Sequence, residues 1–362
     1  MTLLEIDLNK LEQNYTSLRN RLNQHSKMIG VVKSNAYGSL SGLIAKKLVE
    51  LGVEALAVAY TQEAIELRGD GIEIPLMVFY PQVESFRDII LNNIEPVLYS
   101  KTSWEKFKEA LSEEKKISYP IHIKYNTGLN RIGFHPDEAG WVLEQLKDSS
   151  FNVKSVYSHL AQTEAPKPNE KTEHQISLFE EIMDKHSQAS SQKPEFHLLN
   201  TSGVFNYPKY HLDWVRIGIG LYGFANQPEW NKTLHPIAQL KTKITQIHQI
   251  SSGETVGYNC GWKAPKKSRI AVLPIGHADG FSRQYGHGKG WVLINGEKAH
   301  IVGNVCMDML MVDISDIQCK EGNEVEILGS GIRADELAES AGTISYELIT
   351  ALGNRIPRVL KM

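Results

Sequence analysis

The chain has 362 residues, 41% of them hydrophobic and 22% charged, with a formal net charge of -3. That length allows two domains or one large barrel with an appendage, and the mild charge gives no electrostatic case for nucleic acid or a membrane surface. Three cysteines, Cys260, Cys306 and Cys319, have no metal-ligand spacing, and an odd count argues against a disulfide framework, so no metal is expected. No apolar run reaches the length of a membrane span. The amino terminus lacks the basic-then-apolar pattern of a signal peptide. A cytoplasmic location is therefore expected.

In chain order, Asp7 is placed to cap a first helix over 8–22. The apolar run 28–32 reads as a strand. It ends in Lys33, and the polar stretch Ser34-Asn35-Ala36-Tyr37-Gly38 follows. A lysine at the carboxyl end of a buried strand stands at the mouth of whatever that strand builds. In a partly desolvated mouth its amine loses a proton more readily and can attack a carbonyl to form a Schiff base. Pyridoxal phosphate is the commonest carbonyl cofactor held in this way. On this stretch alone, a plain surface lysine after a strand is the competing reading.

Seven further strand candidates follow, at 55–60, 76–80, 95–99, 121–125, 154–159, 196–199 and 215–219. Helical patterns separate them at 43–51, 61–67, 83–91, 104–111, 137–146 and 171–185, with Pro136-Asp137-Glu138 carrying acids into a first turn. Several strands are apolar on both faces, as in a parallel sheet. Eight strands alternating with helices predict a (β/α)₈ TIM barrel. A doubly wound open sheet is the alternative, because strand order cannot be read from one sequence; the dinucleotide fingerprint after the first strand is missing. The proline-bearing segments 163–170 and 187–195 read as exposed loops.

After 225–232 the rhythm changes. Short alternating strands at 240–250, 269–274, 291–294, 300–302, 309–314 and 324–328 predict a mainly antiparallel β domain, with helices only at 334–341 and 346–352. The expected division is a barrel over 1–228 and a β-rich domain over 229–362.

A barrel does its chemistry at the carboxyl ends of its strands. The polar residues ending the candidates are Lys33, Lys124, His159, Asn200 with Thr201, and Arg216. Several on one rim fit an anionic cofactor held as an imine, whereas any one of them alone could simply end a strand at a wet edge. The run Arg216-Ile217-Gly218-Ile219-Gly220-Leu221-Tyr222-Gly223 follows the last barrel strand, and its glycines let backbone N–H groups approach a ligand closely.

Taken together, these segments resemble the bacterial alanine racemases. Residues 31–38 look like that family's pyridoxal-phosphate lysine motif. Residues 124–134, Ser158-His159, Asn200-Thr201-Ser202 and 216–223 match further barrel motifs, and 256–258, 274–280 and 302–308 fall in the family's order in the second domain. The resemblance spans nearly the whole chain. It implies a homodimer interconverting L-alanine and D-alanine to supply peptidoglycan, with each site drawing residues from both chains.

Residue by residue, the resemblance implies that Lys33 holds the cofactor and acts as one base, with Tyr258 of the partner subunit as the other. His159 and Arg216 would ease ionisation of that phenol. Tyr37, Asn200, Thr201, Gly218 and Ile219 would bind the cofactor, and Arg216 would face its ring nitrogen. Arg131 and Met307 would meet the substrate carboxylate, Lys124 is the candidate for carbamylation, and His277 and Arg283 would line the entryway. Asn126, His277 and Asn354 replace residues common among relatives. Related readings are a broad-spectrum racemase, a decarboxylase of the same fold, or a non-enzymatic cofactor-binding protein. Proteins of that last kind resemble the first domain only.

Overall fold

The strands β1 (Leu3–Ile6), β2 (Lys27–Val31), β3 (Ala55–Val58), β4 (Leu76–Val78), β5 (Glu95–Leu98), β6 (Tyr119–Lys124), β7 (Phe151–Tyr157), β8 (Glu195–His197) and β9 (Trp214–Ile217) occupy the first part of the chain. Every pairing from β2 round to β9 is parallel, and β9 pairs back to β2 through Ile29 opposite Arg216. The sheet is thus a closed barrel of eight strands among the described residues, and the open-sheet alternative is set aside. The computed structural model describes residues 1–147, 150–167, 169–189, 193–225 and 227–361. Pro168, residues 190–192 and Asn226, which fall in the predicted loops and linker, lie outside these.

The barrel forms because its strands are buried on both sides, against helices outside and against one another's side chains within. Asp7 caps the helix Leu8–Arg19 as expected, its carboxylate accepting from the Asn9 and Lys10 N–H groups at 3.1 Å. The helix Glu170–Ala189 runs past the predicted end at 185.

The second part contains β10 (Ala238–Lys243), β11 (Gln246–Ile250), β12 (Thr255–Val256), β13 (Trp262–Lys263), β14 (Ser268–Leu273), β15 (Trp291–Ile294), β16 (Glu297–Val302), β17 (Leu310–Asp313), β18 (Glu324–Leu328) and β19 (Arg358–Leu360). Among the described residues, nine strands form one sheet in the order β11-β14-β17-β16-β15-β18-β10-β1-β19. Its pairings are antiparallel except that of β1 with β19. The predicted strand at 240–250 is two strands, because the chain leaves one neighbour, β18, and takes up another, β14. The first strand of the chain, β1, lies in this sheet between β10 and β19, so the amino terminus ties the β domain to the barrel.

Candidate functional site

Val31 closes β2, and after Val32 the chain enters at Lys33 a turn of unusual hand. Ser34, Asn35, Ala36 and Tyr37 have φ values of 54°, 51°, 49° and 54°, and Gly38 continues at 80°. Left-handed backbone costs roughly 1–2 kcal/mol per L-residue, so the turn needs outside support. The Glu63 carboxylate accepts from the Ser34 N–H, and the Asn35 amide oxygen accepts from the Ser41 N–H at 2.9 Å. Tyr37 stacks on Tyr222 with ring centroids 4.4 Å apart, and Arg358 donates to the Gly38 carbonyl. A side chain at Gly38 would start 2.1 Å from the Ile349 carbonyl oxygen, so glycine is required there for space as well as for φ.

This turn brings Tyr37 against the glycine loop after β9. A Cβ on Gly218 would lie 2.3 Å from the Tyr37 hydroxyl, and one on Gly220 would lie 2.6 Å from the Thr201 methyl. Gly220 N–H donates to Thr201 Oγ1 at 3.2 Å. The buried N–H groups of Gly218 and Ile219 have no acceptor among the described residues. Buried backbone donors are rarely left unpaired, so this cradle is built for an anion. Asn200, also named from the sequence, caps the short helix Thr201–Asn206 by accepting from Gly203 N–H at 3.0 Å.

Arg216 is buried at the centre of the mouth. Its Nη1 donates to His197 Nδ1 at 2.6 Å, and its Nη2 to Ser158 O, Leu198 O and His159 Nδ1 at 2.9, 2.9 and 3.0 Å. Guanidinium has five N–H donors and no acceptor, so both histidines must accept. Burial first, and then the Arg216 charge, push His159 and His197 well below the ordinary imidazole range, which keeps both neutral. Tyr157 lies between the cations. His197 stacks on its ring at 4.5 Å, with Arg216 and Lys124 at 4.9 and 5.7 Å from its centre.

Lys124, at the end of β6, is buried and has no carboxylate partner among the described residues. Desolvation, then the charges of Arg131, Arg216 and Lys33, lower it to about 7. Burial and Arg131 lower Lys33 as well, against a smaller opposing pull from Glu63. Both amines are therefore easier to deprotonate than ordinary lysines. Arg131 lines a mouth cavity of about 800 Å³ together with His159, Asn200 and Tyr346. The loop leading to Arg131 is organised by Asn126, whose oxygen accepts from Gly128 and Asn130 N–H groups and whose amide donates to the Asn130 side chain at 3.0 Å. An aspartate could accept those two bonds but could not make the third.

The other named residues assemble elsewhere. Tyr258 and Met307 are 72% and 58% exposed. They line a groove of about 780 Å³ with Gln246, His248, Met309 and Met311, all from the β domain. Asn304 donates to the Tyr258 carbonyl at 2.9 Å and accepts from Arg283 at 3.0 Å. His277 and Ala278 N–H groups donate to the Cys306 and Met307 carbonyls at 3.0 Å. Gly276 makes that approach possible, since a Cβ there would lie 2.3 Å from the Met307 oxygen. The His277 ring is exposed, as is Asn354. Tyr258, Met307, His277 and Arg283 thus form one cluster, and Lys33, Tyr37, Thr201, Arg216 and Gly218 another.

Sequence reasoning missed Glu63, Tyr157, His197 and Tyr346. His197 could have been found as a polar residue inside an otherwise apolar strand. Tyr346, whose ring lies 6.1 Å from that of Tyr37, carries no such signal.

Residues 6–226 match the family described as alanine racemase, N-terminal domain, and residues 237–360 match alanine racemase, C-terminal domain. Alanine racemase 1 of Clostridium acetobutylicum is 37% identical over 366 residues, which cover 98% of this chain and 94% of that protein. The structure of alanine racemase from Clostridium difficile 630 superposes with a TM-score of 0.92 at 34% identity, covering 99% of this chain and 95% of that one. Alanine racemase from Bartonella henselae, solved with covalently bound pyridoxal phosphate, superposes with a TM-score of 0.90 at 26% identity and covers 99% of each chain.

Proposed function

The chain belongs to the alanine racemase family, a family of isomerases, and on that premise we propose that it interconverts L-alanine and D-alanine with two bases, Lys33 of one protomer and Tyr258 of the partner subunit. The observation that carries this reading is the barrel mouth. A lysine with a lowered proton affinity stands beside a cradle of unpaired buried N–H donors, which suits a phosphorylated carbonyl cofactor.

The cradle fits the phosphate of pyridoxal phosphate. Gly218 and Ile219 would supply backbone donors, and Tyr37 and Thr201 hydroxyls. Lys33 would supply the amine and Arg216 a donor toward the ring nitrogen, with Asn200 holding the helix that carries Thr201. When bound, this cofactor would supply a carbonyl for the substrate amine and an electron sink that makes the α-hydrogen acidic. Because arginine keeps its proton at ordinary pH, Arg216 would leave the ring nitrogen unprotonated and would limit electron withdrawal. Brief electron storage suits return of a proton and disfavours transamination.

Inversion requires removal of the proton from one face of the α-carbon and its return on the other. Lys33 Nζ serves one face, and its lowered proton affinity raises the fraction able to accept. Tyr258 Oη of the partner subunit serves the other. A phenol is a weak acid at neutral pH, and the nearby Arg216 charge, relayed through His159, would favour its phenolate. After one turnover each base holds the protonation state the other began with, and exchange with solvent resets them. Arg131 and the backbone amide of the partner's Met307 would hold the substrate carboxylate.

Lys124 is suited to carbamylation. Its neutral amine would add to carbon dioxide, forming an N–C bond and releasing a proton, and the resulting anion would pair with Arg131. The exposed Tyr258 groove supports a homodimer, in which the β domain of one chain (229–362) closes the barrel (1–228) of the other. His277 and Arg283 would then flank the entryway. Among the described residues no helix is long and apolar enough to cross a membrane. We place the enzyme in the cytoplasm, supplying D-alanine for peptidoglycan. The test is direct: incubate the purified protein with single L-amino acids and measure D-isomers by chiral chromatography. Formation of D-alanine supports the reading, and a protein that binds the cofactor yet forms no D-isomer overturns it.

A further inference from the structure

Below Arg216 the interior of the barrel holds a line of polar groups that the proposed chemistry does not use. Arg216 Nη1 donates to His197 Nδ1 at 2.6 Å. His197 Nε2 meets Ser155 Oγ at 2.7 Å, Ser155 Oγ meets His122 Nδ1 at 2.7 Å, and His122 Nε2 meets Glu95 Oε2 at 2.9 Å. Each of the five adjacent strands β9, β8, β7, β6 and β5 contributes one residue. The path runs round the barrel while descending it, from the cofactor-facing rim to Glu95, the first residue of β5. At its lower end Glu95, His122 and Ser155 line a cavity of about 330 Å³ at the barrel base, with Lys27, Glu54 and Glu195.

The direction of every bond follows from one end. Guanidinium cannot accept, so His197 Nδ1 must. His197 is neutral, so its single proton is on Nε2 and goes to Ser155 Oγ. The Ser155 hydroxyl proton then goes to His122 Nδ1, which leaves the His122 proton on Nε2, pointed at Glu95. A doubly protonated His122 would direct a second donor at Ser155 Oγ and leave the hydroxyl proton with no acceptor among the described residues. Burial raises the Glu95 carboxyl, but the His122 hydrogen bond and the charges of Lys154 and Arg68 pull it the other way and the net shift is downward, so the group is an anion. All four bonds therefore point the same way, from a buried cation to a buried carboxylate, and bonds in such a chain polarise one another.

We propose that Glu95 is a positioning residue for Arg216. Through His122, Ser155 and His197 it holds His197 as an Nδ1 acceptor and so fixes the Arg216 guanidinium. With His197, His159, Ser158 and Leu198 engaged, Arg216 keeps its Nε–H and its second Nη1–H for a ligand in the mouth. The inference rests on the reading that Arg216 faces the cofactor ring.

The experiment uses the holoenzyme labelled with ¹⁵N-histidine and ¹⁵N-arginine. In the unmodified protein, His197 and His122 are expected as neutral rings protonated at Nε2, and Arg216 as a slowly exchanging guanidinium. Glu95→Gln should disturb both histidine tautomers and speed Arg216 exchange, shift the cofactor absorption band, and lower kcat roughly tenfold, as loss of an outer hydrogen-bond partner does, with little change in KM. Glu195→Gln is the control, because Glu195 is a base carboxylate that pairs with Lys27 and Trp214 and lies off the chain. It should leave the Arg216 and His197 signals unmoved. Protonation of His197 at Nδ1 in the unmodified protein overturns the proposal even if no variant folds. So does a Glu95→Gln protein in which His197 and Arg216 signals are unchanged. Shifted signals with an unmoved absorption band would uphold the positioning and overturn instead the reading that Arg216 faces the cofactor.

Discussion

The barrel mouth and the β-domain groove handle their functional side chains in opposite ways. In the mouth, Arg216, Lys124 and Thr201 are buried, interlocked by hydrogen bonds or ring contacts, and packed so closely that Gly218 and Gly220 leave no room for a Cβ. In the groove, Tyr258 and Met307 are exposed, and what is held firmly is their backbone, through Asn304 and the His277–Ala278 turn. The mouth is organised within one chain. The groove presents groups outward on a rigid support, an arrangement that acquires a purpose when another surface covers it. One chain therefore carries both halves of the proposed chemistry without joining them.

Removing the mouth's amine should have the largest effect. Lys33→Ala should lower racemisation by about 10⁴-fold or more, as loss of a residue that both binds and transfers protons does. Borohydride should fix the cofactor to the Lys33 peptide of the unmodified protein and to no peptide of the variant. A label on any other lysine would remove Lys33 from the site.

Tyr258→Phe tests the groove. It should take up cofactor normally yet lose roughly 10²- to 10³-fold in activity. Solvent-deuterium exchange into the α-position should fall much more for one enantiomer than for the other. Equal retention with both enantiomers would sink the two-base reading.

Mixing the two inactive proteins tests whether the halves meet across chains. In a mixed dimer of Lys33→Ala and Tyr258→Phe chains, one site lacks both groups and the other lacks neither. Random pairing of equal amounts should restore roughly a quarter of the unmodified activity. If heterodimers form and activity stays at the level of the parents, both bases come from one chain.

A smaller effect should appear in stability. Lys124 falls from 10.5 in the unfolded chain to about 7 in the fold. Between those values the unfolded chain binds the extra proton, so this group makes the fold more stable as pH rises from about 7 to 10.5, and its penalty is fully present below 7. Lys124→Met should remove the penalty. Urea midpoints in carbon-dioxide-free buffer should favour the variant most at pH 6, with the difference shrinking by pH 10. A constant difference would show that Lys124 titrates as an ordinary surface lysine. Least affected should be Arg283→Ala, which loosens Asn304 and, through it, the Tyr258 loop. KM should rise a few-fold at most, about 1 kcal/mol or less, with cofactor uptake unchanged.

Much of the mouth was legible in the order of residues. Lys33 after an apolar run, and glycines after the last barrel strand, are local patterns, and strand ends in a barrel converge on one rim. The change of rhythm after residue 225 marked the second domain for the same reason, since alternation with period 2 needs only neighbouring residues. The match of both domains to the racemase family also leaves aside the cofactor-binding proteins that resemble only the first.

Closure of the barrel was decided elsewhere, by β9 returning to β2 across nearly the whole first domain. So were the seat of β1 between β10 and β19, the stacking of Tyr346 near Tyr37, and the line from Arg216 to Glu95. The left-handed turn at Ser34–Tyr37 belongs with them, because none of those four residues is glycine and supports from Glu63, Tyr222 and Arg358 hold it. By itself the sequence determined the eight barrel strands, most of the helices between them and the polar residues near the strand ends, because side-chain alternation and burial act over a few residues. Only the tertiary structure decided which of those ends meet and which proton goes to which nitrogen, because those outcomes depend on groups brought together from far apart in the chain.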